Sequence, residues 1–238
     1  MRKFINYAHR GASEYYPENT FSSFFAGIDM GADGIETDVQ KTKDGVLVLF
    51  HDDNLKRVTG VDAGVSDLTY SELMSLTVTN AKTLRQDKIV SLPDFIKYLG
   101  WRDLTFAVEI KQRGIVREVM SALDTAGMKD KVIITSFIYE ELLDAKRQDM
   151  GFRLGWLYWG KTDEQRIKKL LAIDAYQACP KIADLTEGEL NAIYSAGLHC
   201  RAWGAESEEL MKRAVDIGVD EGITVNFPDK LENYLKSK

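Results

Sequence analysis

The stretch Leu104–Gly127, LTFAVEIKQRGIVREVMSALDTAG, contains one repeating unit of the fold. Leu104–Ile110 is a short apolar run that reads as a buried strand. The pattern then changes to an amphipathic helix over Gly114–Ala126, and Gly127 stands where a left-handed residue stops a helix. Working outward, the same alternation recurs almost throughout. Strands are expected at Phe4–Ala8, Gly34–Val39, Val46–Phe50, Leu104–Ile110, Val132–Thr135, Phe152–Leu157, Ala175–Cys179, Leu198–Ala202 and Gly222–Val225. Helices are expected at Thr20–Met30, Leu92–Tyr98, Gly114–Ala126, Tyr139–Asp149, Asp163–Leu171, Glu187–Ser195 and Glu206–Ile217. Each amphipathic helix needs a sheet face to cover, so this rhythm implies an α/β fold. Repetition to about eight strands favours a TIM-type (β/α)8 barrel. No Gly-rich turn opens the first helix, so a doubly wound sheet lacks its nucleotide-binding fingerprint.

Two features break the rhythm. Nine strands are one too many for a closed barrel, so one of them is peripheral. Only Lys41–Gly45 joins the second and third strands, too short for a crossover helix, and the barrel is expected to be irregular there. The segment Asp52–Lys88 reads as a small rim insertion, with turns near Gly60 and Gly64 and a short helix at Tyr70–Ser75. Thr69 and Glu72 have capping-box spacing for that helix. The expected organisation is a single barrel domain over 1–238, carrying the 52–88 insertion.

Composition narrows the function classes. The 238 residues are 45% hydrophobic, enough for a sizeable core, and four prolines leave no linker. Thirty-one basic against 37 acidic residues give a net charge of -6, which argues against a general nucleic-acid surface. A bound metal can still make one pocket positive. Cys179 and Cys200 fit no metal spacing and read as two buried thiols. No apolar run is long enough to span a membrane, and Met1–His9 carries no signal-peptide core. The expected location is cytoplasmic, without stable membrane association.

Of the three histidines, His9 and His51 end apolar strands, and strand C-termini line the mouth of a barrel. Either alone reads equally well as a hydrogen-bonded shell residue. Glu36 and Asp38 lie two apart and project from one face, and Glu109 with Lys111 repeats the spacing. Internal salt bridges are the structural alternative. Two buried like charges are costly unless a cation or an arginine compensates them. Three oxygen ligands suit a hard divalent ion, Mg²⁺ or Ca²⁺, better than zinc. His199, at the start of a late strand, reads as structural. A phosphodiester fits the set: the ion can hold a nonbridging oxygen, Arg10 and Lys111 can donate to the phosphate, and two histidines can exchange protons.

These residues lie in segments that resemble the glycerophosphodiester phosphodiesterase family, above all its compact bacterial members. The resemblance runs through His9-Arg10-Gly11, Pro17-Glu18-Asn19-Thr20, Gly31–Val39, Thr42–Gly45, His51–Thr59, Glu109-Ile110-Lys111, Thr135-Ser136-Phe137 and Arg201-Ala202-Trp203. It implies a TIM barrel that hydrolyses glycerophosphodiesters, small-molecule substrates, to glycerol 3-phosphate and an alcohol. It further implies Glu36, Asp38 and Glu109 as metal ligands, and His9 and His51 as the acid/base pair with their order open. Arg10 and Lys111 become phosphate contacts, and Trp203 the aromatic on the glycerol side. A neighbouring substrate hydroxyl or water can serve as nucleophile.

The supporting residues have local readings as well. Asn19 or Thr20 can cap the first helix, Glu18 can orient Arg10, and Gly11 serves a turn or a close approach at the pocket. Phe137, Trp156, Tyr158 and Trp159 either shape the alcohol pocket or pack the core. The chain departs from the family pattern at Trp203-Gly204-Ala205-Glu206, where Trp-Thr-Val-Asn is usual. Asn226 stands where aspartate is common. Two rivals remain at this stage: a phospholipase-like enzyme acting on lysolipids, and a barrel that binds glycerophosphoryl compounds without turning them over.

Overall fold

The computed structural model describes residues 4–238; the part of the Met1–His9 reading that falls on the first three residues lies outside them. The strands are β1 Asn6–His9, β2 Gly34–Lys41, β3 Leu47–Leu49, β4 Val78–Thr79, β5 Gln86–Asp87, β6 Val90–Ser91 and β7 Thr105–Ile110. They continue as β8 Val132–Ser136, β9 Arg153–Tyr158, β10 Gln177–Pro180, β11 His199–Cys200, β12 Ala202–Ala205 and β13 Ile223–Val225. The helices are α1 Phe21–Asp29, α2 Lys56–Thr59, α3 Tyr70–Ser75, α4 Leu92–Leu99 and α5 Val116–Thr125. After them come α6 Tyr139–Gln148, α7 Glu164–Ala172, α8 Glu187–Ser195, α9 Glu208–Asp216 and α10 Pro228–Lys236.

Nine parallel segments run in the order β11-β10-β9-β8-β7-β2-β1-β13-β12. The two ends of this path, β11 and β12, are halves of one strand interrupted at Arg201. β11 pairs with β10, β12 pairs with β13, and Lys181 bridges to Trp203 beyond the break. Counting the halves as one strand gives eight staves of a nearly closed TIM barrel. The surplus strand is β3. It pairs antiparallel with β2, with Val39 opposite Leu49 and Lys41 opposite Leu47, and then with β6. A hairpin needs no crossover, which accounts for the short Lys41–Gly45 connection.

Local signals set the helix ends. Thr20 caps α1 by accepting from the Ser23 amide, and Ser91 caps α4, which has proline in its first turn. The box expected at Thr69 and Glu72 forms on α3. Gly127, after α5, has a φ of 68° that an L-residue rarely adopts. Other elements were not foreseen, among them α2, α10, β6 and the β4–β5 hairpin.

Apolar side chains fill the layer between barrel and helices. Phe24 of α1, Phe95 of α4 and Phe106 of β7 form an edge-to-face chain with centroids 5.2 and 5.5 Å apart. Around the rim excursion, Val48, Phe50, Leu55, Val58, Val65, Leu73, Val78 and Ile89 make a separate buried cluster. Cys179 and Cys200 are buried free thiols. Among the described residues, no helix is long and apolar enough to cross a membrane.

Candidate active site

Two cross-strand pairs form the centre of the site. His9 of β1 lies opposite Glu36 of β2, and Asp38 of β2 lies opposite Glu109 of β7. Because side chains alternate along a strand, Glu36 and Asp38 project together, and register brings Glu109 to their level. Ligand oxygens of the three buried carboxylates lie within 4.8 Å of one another. His9 Nε2 is 3.8 Å from Glu36 Oε2, and Lys111 Nζ is 3.0 Å from Glu109 Oε1.

This cluster is suited to a cation. Glu36 Oε2 and Asp38 Oδ1 are buried without a hydrogen-bond partner. Burial, with the charges of Asp38 and Glu109, pushes the Glu36 carboxyl well above its ordinary value. Burial and Asp38 likewise raise Glu109, to about 7. Asp38 moves the other way: burial is outweighed by the charges of Arg10, His51 and Lys111 and by a hydrogen bond from Asn19. A divalent ion would compensate the crowded charge and use the orphaned oxygens.

Arg10 and its neighbours fix the side of the cluster. The Arg10 backbone is left-handed, at φ 55°, and its amide donates to the Glu36 carbonyl at 2.9 Å. Its Nε lies 3.1 Å from Asp38 Oδ2, and its Nη1 is 3.1 Å from Glu18 Oε1. Gly11, at φ 82°, serves the turn into α1 and a close approach there: an added Cβ would fall 2.4 Å from the Ser23 carbonyl carbon. That approach is to the helix, and neither Gly11 nor Ser23 lines the cavity. Asn19 is not a helix cap, since Thr20 takes that role. Its amide donates to Asp38 Oδ2 at 2.9 Å and accepts from Thr37 Oγ1 at 2.8 Å.

His51 reaches the mouth from the end of the antiparallel strand β3 and not from a stave of the barrel. β2 overshoots the barrel rim, and β3 returns antiparallel until the Phe50 amide meets the Asp38 carbonyl at 3.0 Å. The next residue, His51, therefore lines the same cavity as Glu109. Its Nδ1 lies 2.6 Å from Asp52 Oδ1. Arg57 binds both Asp52 and Glu18, each through contacts of 2.6 Å, so ionic contacts run from Asp38 through Arg10, Glu18, Arg57 and Asp52 to His51. His9 Nδ1 lies 2.6 Å from Asn226 Oδ1, which also accepts from Ser13 Oγ. With that oxygen as acceptor, the His9 proton sits on Nδ1 and the Nε2 lone pair faces the cavity. Burial and the Arg10 charge both lower the pKa of His9.

Opposite the carboxylates stands an aromatic wall. Phe137 stacks on Trp159 at 4.1 Å, and Trp203 stands perpendicular to both, with centroids at 5.0 and 5.6 Å. The Trp203 indole donates to the Cys179 carbonyl at 3.0 Å, which fixes its orientation. The wall and the polar groups enclose a cavity of about 460 Å³. Trp156 and Tyr158 alternate outward, where Arg166 lies over both rings, so they pack the helix layer. His199 is away from this cavity, with Nδ1 2.5 Å from Asp220 Oδ2. Asn19, Gln40, Asp52, Arg57, Arg201 and Asn226 all support the site, yet sequence reasoning gave none of them such a role. Asn226 was visible only as a departure from a pattern, and Asp52 and Arg57 only as members of a matching segment.

Fold and site together define a TIM-barrel protein with an acidic, metal-capable centre at its mouth. Residues 9–230 match the model of the glycerophosphoryl diester phosphodiesterase family, and the chain belongs to that family. It is 31% identical to a glycerophosphodiester phosphodiesterase of Caldanaerobacter subterraneus, with 96% of each chain covered. A glycerophosphodiester phosphodiesterase of Bacillus subtilis is 28% identical, covering 98% of this chain and 87% of that one. Among solved structures, the Thermotoga maritima glycerophosphodiester phosphodiesterase aligns over 100% of both chains, with 25% identity and a TM-score of 0.77. An Oleispira antarctica phosphodiesterase in complex with the product sn-glycerol-3-phosphate aligns at TM-score 0.86 and 23% identity, over 99% of this chain and 97% of that one. The chain is accordingly an enzyme that hydrolyses glycerophosphodiesters.

Proposed function

We propose that hydrolysis proceeds with one divalent cation, Mg²⁺ or Ca²⁺, held by Glu36, Asp38 and Glu109, and with His9 and His51 carrying the protons. The observation behind this is that both histidines, Glu36 and Glu109 line one cavity, with Asp38 buried within 4.8 Å of the two glutamates. When bound, the cation supplies positive charge to phosphoryl oxygens as negative charge builds on them. Arg10 and Lys111 donate charge-assisted hydrogen bonds to the phosphate. His9, kept neutral by burial and Arg10, takes the proton of the attacking hydroxyl through Nε2. His51, oriented by Asp52, returns a proton to the leaving alkoxide. Trp203 packs on the glycerol carbons. The whole chain, 1–238, acts as one barrel domain in the cytoplasm, with 52–88 as an insertion that holds His51 in place.

Release of alcohol and glycerol 3-phosphate from glycerophosphocholine, glycerophosphoethanolamine and glycerophosphoglycerol tests this reading. Activity is expected with Mg²⁺ or Ca²⁺, lost in chelator, and lost in His9→Ala, His51→Ala and Glu36→Ala. Full turnover in chelator sinks the metal assignment, and normal turnover by both histidine variants removes their roles. The exposure of Trp159, 59% at the cavity mouth, favours a second reading in which an apolar lysolipid substituent is accepted. Lysophosphatidylcholine belongs in the same assay, and its complete refusal rules that reading out.

A further inference from the structure

Arg201 occupies the break between β11 and β12, on the same strand face as Trp203 and one layer deeper. It is only 1% exposed, yet it lines the cavity that holds His9 and Glu36. Its Nη1 donates to Thr224 Oγ1 at 2.6 Å, and Nη2 lies 3.9 Å from Cys179 Sγ. Nε is buried with no partner. The other two fixed cations of this cavity are engaged by carboxylates: Arg10 by Asp38 and Glu18, Lys111 by Glu109. Among the described residues, Arg201 has no such carboxylate contact; its hydrogen bonds go to a hydroxyl and a thiol.

A guanidinium cannot escape burial by losing its proton, and the Glu36 charge acts on Arg201 only through space, so an anion that reaches the guanidinium gives it a direct partner. The buried carboxylates Glu36, Asp38 and Glu109 carry three negative charges against the three positive charges of Arg10, Lys111 and Arg201. A divalent ion would leave this set with two positive charges. A phosphodiester supplies one negative charge, whereas its phosphomonoester product, with a second pKa of about 6, supplies nearly two above neutral pH.

We propose that Arg201 is a phosphate-binding residue that receives this second negative charge, so that the site favours dianionic phosphomonoesters over monoanionic diesters. The inference rests on the phosphodiesterase reading for seating the phosphoryl group beside Glu36. Charge grows on the phosphoryl oxygens during displacement as well, so the preference that stabilises the transition state also retains product.

Isothermal titration calorimetry at pH 8 with Mg²⁺ present can separate the charge states, using methyl phosphate as dianion and dimethyl phosphate as monoanion. The wild-type protein is expected to bind methyl phosphate about tenfold or more tightly than dimethyl phosphate. Arg201→Gln should weaken methyl phosphate by about 10- to 100-fold and dimethyl phosphate by less than about threefold, the scale of one lost charged hydrogen bond. A purely structural role for Arg201 would move both ligands alike, and equal losses overturn the proposal. If circular dichroism finds the glutamine variant unfolded, the wild-type comparison still decides: equal affinities for the two ligands overturn the proposal. Normal glycerophosphocholine hydrolysis with no charge discrimination defeats the Arg201 assignment alone. Discrimination that depends on Arg201, in a protein that hydrolyses none of the diesters, defeats the hydrolytic reading alone.

Discussion

Gln40 donates from one side-chain nitrogen to the carbonyls of Phe50, at 3.0 Å, and Asp52, at 2.8 Å, gripping the backbone on both sides of His51. Gln40 is buried and belongs to the part of β2 that overshoots the rim. It keeps the returning strand at the height where His51 lines the cavity. Gln40→Leu is expected to lower kcat by as much as ~100-fold, the scale of an ångström misplacement. Affinity for the divalent ion should stay unchanged, since Gln40 touches no carboxylate of the cradle. Steady-state kinetics together with ion titration check this, and unchanged kcat in a folded variant refutes the positioning role.

Asn19 should act on the metal side. Its amide holds Asp38 Oδ2 and is itself held by Thr37, while its backbone adopts φ 56°. Asn19→Gly keeps the left-handed backbone and removes only the side chain. Metal affinity should fall about 10- to 100-fold, as when a ligand loses its supporting hydrogen bond. Calorimetric titration of Mg²⁺ measures it, and an unaltered affinity shows that Asp38 is positioned without Asn19.

The metal-free protein should become less stable as pH rises from 5 towards 8. Folding raises Glu109 from the ordinary 4.5 to about 7 and raises Glu36 as well. Within that window the folded chain keeps protons that the unfolded chain has released, so rising pH favours unfolding. Asp38, lowered from 3.8, contributes above that value, and its share is lost on acidification below it. Thermal unfolding in chelator should show the decline, Glu109→Gln should shrink it, and a divalent ion should remove it. A decline of equal size in Glu109→Gln assigns it to other groups.

Stability of the barrel wall is a separate matter. Phe95 is fully buried and meets Phe24 and Phe106 edge to face. Phe95→Ala should cost about 3–5 kcal/mol through lost burial and the cavity left behind. Denaturant unfolding gives the value, and a loss below about 1 kcal/mol would mean the wall collapses to refill the space.

The barrel was legible because each βα unit repeats two periods, and Leu104–Gly127 already displays both. The excess of one strand was legible too, but the sequence did not say which strand. Short apolar runs look alike whether they pair parallel or antiparallel, and the length of the Lys41–Gly45 connection was the only sign that β3 turns back. Glu36 and Asp38 could be paired because they share a strand face, and Glu109 joined them through the repeated spacing and the family resemblance, while the register that brings all three to one level shows only in the fold. Asn19 could not, since its capping position gave it a sufficient local role that Thr20 fills instead. Arg201 escaped for a related reason: the strand break that turns it inward is set by pairing on two different neighbours, β10 and β13.

The β2–β3 hairpin also bears on how this activity can be lost. Side chains on a strand change face at every residue, so one residue added or deleted between Lys41 and Leu47 would turn His51 away from the cavity if the turn kept its length and β3 shifted its pairing by one residue. Every catalytic group would survive in the text of such a descendant, and a search for the residues alone would report an intact enzyme. Here the spacing between two strands is inherited information of the same rank as the histidine it delivers.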